Sequence, residues 1–133
     1  MKKLVFFSLF FLTFLGHATF AQKTENTEEE IFTVVEQPPI FPGGMQALGK
    51  YLSDNLKYPK KAARKNKQGT VYVNFVVNRV GEIVDIKVLK GIGFGLDEEA
   101  MRVVKNMPTW VPGTQGGKTV SVRYNLPIKF LLN

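Results

Sequence analysis

The chain of 133 residues contains no cysteine and a single histidine, His17. Without cysteine there can be no disulfide, so any domain it forms must be held by its own core. His17 falls inside an N-terminal stretch that reads as a removable leader. The remainder therefore has neither histidine nor cysteine. That excludes Ser–His and Cys–His catalysis and the common zinc sites. A long apolar run is also missing. The longest, Leu4–Leu15, is about a dozen residues, whereas a membrane span needs about 20. Nor is there a long Pro-rich rod: of seven prolines, three cluster at Pro38, Pro39 and Pro42.

What is present begins with a basic start, Met1-Lys2-Lys3, then the apolar Leu4–Leu15, then small residues up to Ala21. This order is that of a secretory signal peptide. Cleavage is expected after Ala21, with Thr19 as the small residue two places before it. The other reading of the same stretch is an uncleaved helix anchoring the chain to the inner membrane. Residues 22–40 form an acidic lead-in, disordered or extended, in which Ile31–Val35 reads as a short extended piece. The start of the lead-in, QKTENTEEE, is polar throughout and expected to be disordered. Residues 41–133 are enough for one domain with an adequate core. The formal charge of +7 falls by two without Lys2 and Lys3. Export argues against nucleic acid as the partner of this basic balance.

Periodicity predicts the elements. Met45, Leu48, Leu52 and Leu56 share one helical face. A short helix is expected from Pro59 through Ala62 and Ala63. Val71, Val73, Phe75 and Val77 alternate with Tyr72 and Asn74, giving a strand. Turn residues Asn78–Gly81 lead to a second strand, Glu82–Lys90, with Val84, Ile86 and Val88 expected inward. Leu96–Met107 reads as a helix with Asp97, Glu98 and Glu99 in its first turn and Arg102 and Lys105 later, the order its dipole favours. Thr109–Gly117 reads as a loop. Thr119–Phe130 is the last strand: Val120, Val122, Tyr124, Leu126, Ile128 and Phe130 alternate with polar Ser121, Arg123, Asn125 and Lys129.

These elements predict an α+β fold, a three-stranded antiparallel sheet in the order second–first–third with helices packed on one face. The last strand then lies at an edge, where Pro127 is tolerated. Its unpaired backbone, at Val120, Ser121, Val122, Arg123, Tyr124 and Asn125, is a candidate surface for taking up a strand from another protein. A homodimer through the same edge is left open by the residues.

Four other features have ordinary readings. Gly91-Ile92-Gly93-Phe94-Gly95 sits between a strand and a helix, as a dinucleotide loop does. However, Asp97, Glu98 and Glu99 would oppose a pyrophosphate, so no cofactor is expected and the stretch reads as a flexible connection. The same three carboxylates stand in a helix's first turn for structural reasons, and no enzymatic activity is expected. Trp110, between Pro108 and Pro112, is expected to pack under a loop. Lys57, Lys60, Lys61, Arg64, Lys65 and Lys67 occupy eleven residues with no acid among them. They read as a solvated face that can also steer docking to an acidic partner or anionic headgroups.

The ordered series Tyr58-Pro59, Gly69, Val71–Val77, Gly81, Leu96-Asp97, Ala100, Pro108, Trp110, Pro112-Gly113 and Phe130 resembles the C-terminal domain of TonB. Phe41-Pro42-Gly43-Gly44 is similar to the lead-in of short TonB-like proteins. The resemblance covers about Phe41–Asn133. It implies a periplasmic module that supports energy-dependent transport by binding an outer-membrane TonB-dependent transporter. A short extended segment of the transporter, the TonB box, would add to the domain's last strand, with Tyr58 and Pro59 near the partner. Two departures stand out. Ser8 and His17 lack the spacing with which an energy-coupling TonB engages inner-membrane motor proteins, and the long Pro-rich linker is missing. Contact with those motor proteins is therefore implied only if the N-terminus is uncleaved. The alternative function is a structural or assembly subunit of an envelope complex that uses the same edge for a permanent contact.

Overall fold

The computed structural model describes Gly16 and residues 29–133. The leader expected at 1–21, Gly16 aside, and the first part of the lead-in, 22–28, lie outside the described residues. In chain order the elements are β1 (Ile31–Phe32), α1 (Gly44–Asn55), α2 (Lys60–Arg64), β2 (Gly69–Val77), β3 (Ile83–Lys90), α3 (Leu96–Lys105), β4 (Gly113–Gln115) and β5 (Lys118–Phe130). Among the described residues, no helix is long and apolar enough to cross a membrane.

The two strongest alternations form the main ladder. β2 pairs antiparallel with β5 over nine residues, from Gly69 opposite Phe130 to Val77 opposite Val122. This register puts Val71, Val73, Phe75 and Val77 on the same face as Leu126, Ile128 and Phe130. These side chains form one core with Leu48 of α1, Ala62 of α2, and Leu96, Ala100 and Val104 of α3. β3 pairs antiparallel with the other side of β2.

The expected three-stranded sheet is a five-stranded one. Its order is β1-β5-β2-β3, with β4 paired to β5. β1 runs parallel to β5, with Ile31 opposite Ser121 and Phe32 opposite Val122. β4 forms a hairpin with the start of β5, within what reads from sequence as a loop. Its turn is Gly116-Gly117, both at positive φ, the geometry that a two-residue hairpin connection requires and that glycine supplies without strain.

The second correction concerns β3. Val84 is not inward but lies opposite Val76, and Ile83 lies opposite Val77. The register slips between Asn74 and Val76, where Asp85 has φ 51. One extra residue forms a bulge, and every side chain before it changes face. Ile83, Ile86 and Val88 therefore pack on the core, while Val84 is exposed. A third difference is the 91–95 connection. Asp97 accepts the backbone N–H of Ile92 at 2.8 Å and of Gly93 at 3.3 Å. The carboxylate folds back over the loop and pins it, so the flexible link expected there is a closed turn.

Trp110 packs under its loop at the centre of an aromatic group. Its ring meets Tyr124 at 5.0 Å, Phe75 at 5.5 Å and Phe41 at 5.7 Å between centroids, all edge-on. Its backbone N–H donates to Gly81 O at 2.8 Å. Gly81 has φ +84, and a Cβ there would stand 1.9 Å from Trp110 O. Gly81→Ala is therefore expected to destabilise the domain by at least ~1–3 kcal/mol from backbone strain alone. Trp110→Ala should cost about 3–5 kcal/mol. Urea unfolding followed by circular dichroism checks both.

Candidate functional site

The sequence-predicted strand residues divide between two environments. Val120 is paired with Gly113 of β4. Ser121 and Val122 are paired with β1 on the flank of β5 that faces away from β2. That flank is therefore covered by the chain itself over two of the six predicted positions. The cover was not expected, because two residues are too few to show a period. From Arg123 onward, β2 remains the partner on one side, and no strand pairs with the other side among the described residues. An open groove of about 450 Å³ adjoins this stretch. It lies between Thr33, Val34, Val35, Pro38 and Pro39 on one wall and Val122–Asn125 on the other.

Segment 37–40 forms that wall because it is tied to the β4 region. Gln37 and Thr114 exchange two backbone hydrogen bonds, at 3.2 and 2.9 Å, as do Ile40 and Val111, at 2.9 and 2.8 Å. Beside the groove, Pro38, Pro39, Ile40, Met45, Trp110 and Tyr124 enclose an apolar hollow of about 370 Å³. Ile40 and Met45 stay exposed there. Sequence periodicity missed this apolar rim because it is assembled from three separate segments. Only the Pro-rich character of 38–42 hinted at an extended wall.

The outer face of the sheet carries a closed polar network. Arg123 Nη1 donates to Asn74 Oδ1 at 2.5 Å, and Arg123 Nη2 reaches Asp85 Oδ2 at 3.0 Å. The amide of Asn74 in turn donates to Asn125 Oδ1. Asn74 is 3 % exposed, so its hydrogen bonds are made where water cannot replace them. Arg123 thus reaches across the sheet rather than toward the open flank. Ser121 was expected among the polar outward residues; it is 1 % exposed, and its hydroxyl donates to Glu29 Oε1 at 2.5 Å.

Tyr58 and Pro59 lie at the far end of β5. The Tyr58 ring meets Phe130 edge-on at 5.9 Å, and its hydroxyl donates to Lys67 O. From position 125 to 130 a strand rises about 17 Å. The fold therefore does not bring Tyr58 together with Ser121 or Val122. In the basic run, Lys57, Lys60, Lys61, Arg64 and Lys65 are exposed and Lys67 is half-buried. Lys61 and Lys67 sit over the Phe94 ring, at 5.9 and 4.8 Å from its centroid. None of the six belongs to an ion pair among the described residues; those pairs join Lys50–Asp54, Arg79–Glu29, Arg102–Glu99 and Arg123–Asp85.

Three groups on the helices have shifted titrations. Burial raises the Tyr51 phenol, opposed by the charge of Arg102. The hydrogen bond to Glu99 raises Arg102, and that to Asp54 raises Lys50. Arg102 also donates to Asn55 O at 2.9 Å, tying α3 to the end of α1. Among the described residues, no group of three His, Cys, Asp or Glu side chains is placed to hold a metal. The arrangement offers backbone and apolar contact to an extended chain. For the network beneath it, Asn74→Ala should lower stability by about 1–3 kcal/mol, because Arg123 and Asn125 lose a buried partner. A shift in urea midpoint at unchanged slope is the expected record.

Comparison with known proteins adds the following. The family model for the C-terminal region of the Gram-negative bacterial TonB protein matches residues 54–132, more than half of the chain. Two NMR solution structures of the Helicobacter pylori TonB C-terminal domain are similar to it. The one of residues 194–285 is 26% identical with a TM-score of 0.48, covering 65% of this chain and 91% of that one. The one of residues 179–285 is 24% identical with a TM-score of 0.50, covering 67% of this chain and 80% of that one; this likeness is one of fold. No curated protein sequence matches.

Proposed function

The chain belongs to the TonB C-terminal family of Gram-negative bacteria, and from that premise we propose that it is a periplasmic binding module. It takes up an extended segment of an outer-membrane transporter, the TonB box, along the open flank of β5. The family is associated with the envelope, takes part in TonB-dependent transport and meets outer-membrane TonB-dependent transporters as a non-enzymatic module. Removal of residues 1–21 would deliver the chain to that compartment as a soluble adaptor, with 22–40 as lead-in and 41–133 as the binding domain.

One observation carries this reading. Beyond Val122, the backbone of β5 has the remaining eight residues of the β2 ladder on one side and no strand on the other among the described residues. Such a row of amides and carbonyls is a template for strand addition. The register suited to it is displaced toward Arg123, Tyr124 and Asn125, because Ser121 and Val122 already have a partner. A segment of about eight residues laid along 123–130 would span roughly 25 Å. Its far end would come to the Phe130 end of the strand, where Tyr58 and Pro59 lie. Main-chain bonds supply affinity on this account. The apolar rim of Ile40, Met45 and Tyr124 selects among segments.

Two outcomes are expected. A photo-crosslinking residue at position 125, an exposed site on β5, should capture an outer-membrane transporter in intact cells, and the same residue at Lys87 on β3 should not. Capture from Lys87 alone would place the contact elsewhere. The six cations of 57–67 should also speed approach to an acidic partner, so association should slow severalfold between low and high ionic strength. Stopped-flow measurement in a salt series checks this, and a flat series would remove the steering role.

A further inference from the structure

β1 is an unusual companion for a strand as long as β5. It contributes two residues in parallel register, and parallel pairing of that length is weak by itself. Its grip comes from the residue two places earlier. Glu29 Oε1 accepts the Ser121 hydroxyl at 2.5 Å and meets Arg79 Nε at 2.9 Å. Both bonds end on one carboxylate that is itself part exposed. On the other side of β1 the chain bends at Thr33 and Val34, and Val34 is almost fully exposed. Firm attachment resumes at Glu36, whose N–H donates to Gln115 Oε1 at 2.9 Å, and at Gln37 on Thr114. The segment is thus a strap, pinned at 36–40 and held at 29–32 by two strand residues and one acid.

We propose that β1 is an internal competitor: it occupies the Ser121–Val122 stretch of the β5 flank and must be displaced before an incoming strand can extend over it. The displacing chemistry is written in the strap. Ser121 and Arg79 present a hydroxyl and a guanidinium that together receive a carboxylate. The favoured competitor is therefore an extended segment parallel to β5 with an acid two residues before its paired stretch. Because the strap is tethered, its effective concentration is high, and an outside segment binds more weakly by the fraction of molecules in which the strap is open. The identity of the outside segment as part of a transporter rests on the function proposed above; the competition does not.

The test uses the full chain in four forms: wild type, Ile31→Pro, Glu29→Ala, and a double variant Phe32→Cys, Val122→Cys. The last joins residues that face each other across the ladder, and the native chain has no cysteine to compete for the bond. The first probe is a synthetic peptide with this chain's own residues 29–34. It should bind Ile31→Pro and Glu29→Ala about tenfold more tightly than wild type, as expected for a strap closed in roughly nine molecules of ten. The oxidised double variant should not bind it, and reduction should restore binding. If Ile31→Pro fails to fold, Glu29→Ala, a surface change, carries the same expectation. Equal affinity for open, wild-type and locked forms, or no binding to the open forms, overturns the competition. A second probe is the plug segment of the transporter captured from position 125. If it binds locked and open forms alike while the first probe does not, the transporter segment keeps to 123–130 and both readings stand; if neither probe distinguishes the forms, the transporter reading stands and the strap falls. If it binds none of them while the first probe behaves as expected, the strap stands and the transporter reading falls.

Discussion

The placement of Trp110 is the interaction on which the other parts depend. A buried indole removes about 150–250 Å² from water, and this one is 2 % exposed. Its partners come from β2, β5 and the segment before α1. The chain has no disulfide to supply such long-range connections. The loop that carries the indole is held at Gly81, the turn between β2 and β3. Once that loop is fixed, Val111 and Thr114 present backbone groups in line, and the segment 37–40 is drawn onto them. The position of the lead-in relative to β5 follows from a packing event on the other side of the sheet from the polar network.

β5 carries two different flanks as a result. Toward β2 it is committed for nine residues, with the core behind it. On the other side its pairing is two residues long. An open edge invites unwanted association, and proteins blunt such edges with proline, with charge, or with a short piece of their own chain. Here Pro127, Lys129 and β1 supply one of each. The same devices that guard the edge also define what can use it. On the function proposed above, an approaching strand would meet the missing donor at Pro127 and, at Ser121, the position that Glu29 fills.

Charge is distributed along this axis in a way that packing does not demand. The six cations of 57–67 lie toward the Phe130 end, near Tyr58, and the acid–base pair of Glu29 and Arg79 lies toward Ser121. Exposed charges of this kind contribute little to stability. On the function proposed above, their field would act before contact, on the rate and direction of approach, and strand pairing after it.

Much of the fold was legible in the residues. Period-two alternation marked β2 and β5, and charge order marked α3, because each depends on neighbours a few positions away. Polar alternation and Pro127 pointed to an edge for the last strand, but the edge position belongs to β1, and β5 lies between β1 and β2. The bulge at Asp85 was not legible, since one inserted residue leaves no trace in composition yet reverses the faces of Ile83 and Val84. β1 and β4 were too short to show a period, although Gly116-Gly117 is a hairpin turn that periodicity alone passes over. The burial of Ser121 was out of reach altogether, because its partner Glu29 is 92 residues away. The amino-acid order by itself determined the helices, the three longer strands β2, β3 and β5, and the apolar faces of β2 and β5. Only the tertiary structure decided which strand stands beside which, and so which stretch of β5 is covered, because strand pairing is set by contacts between residues far apart in the chain.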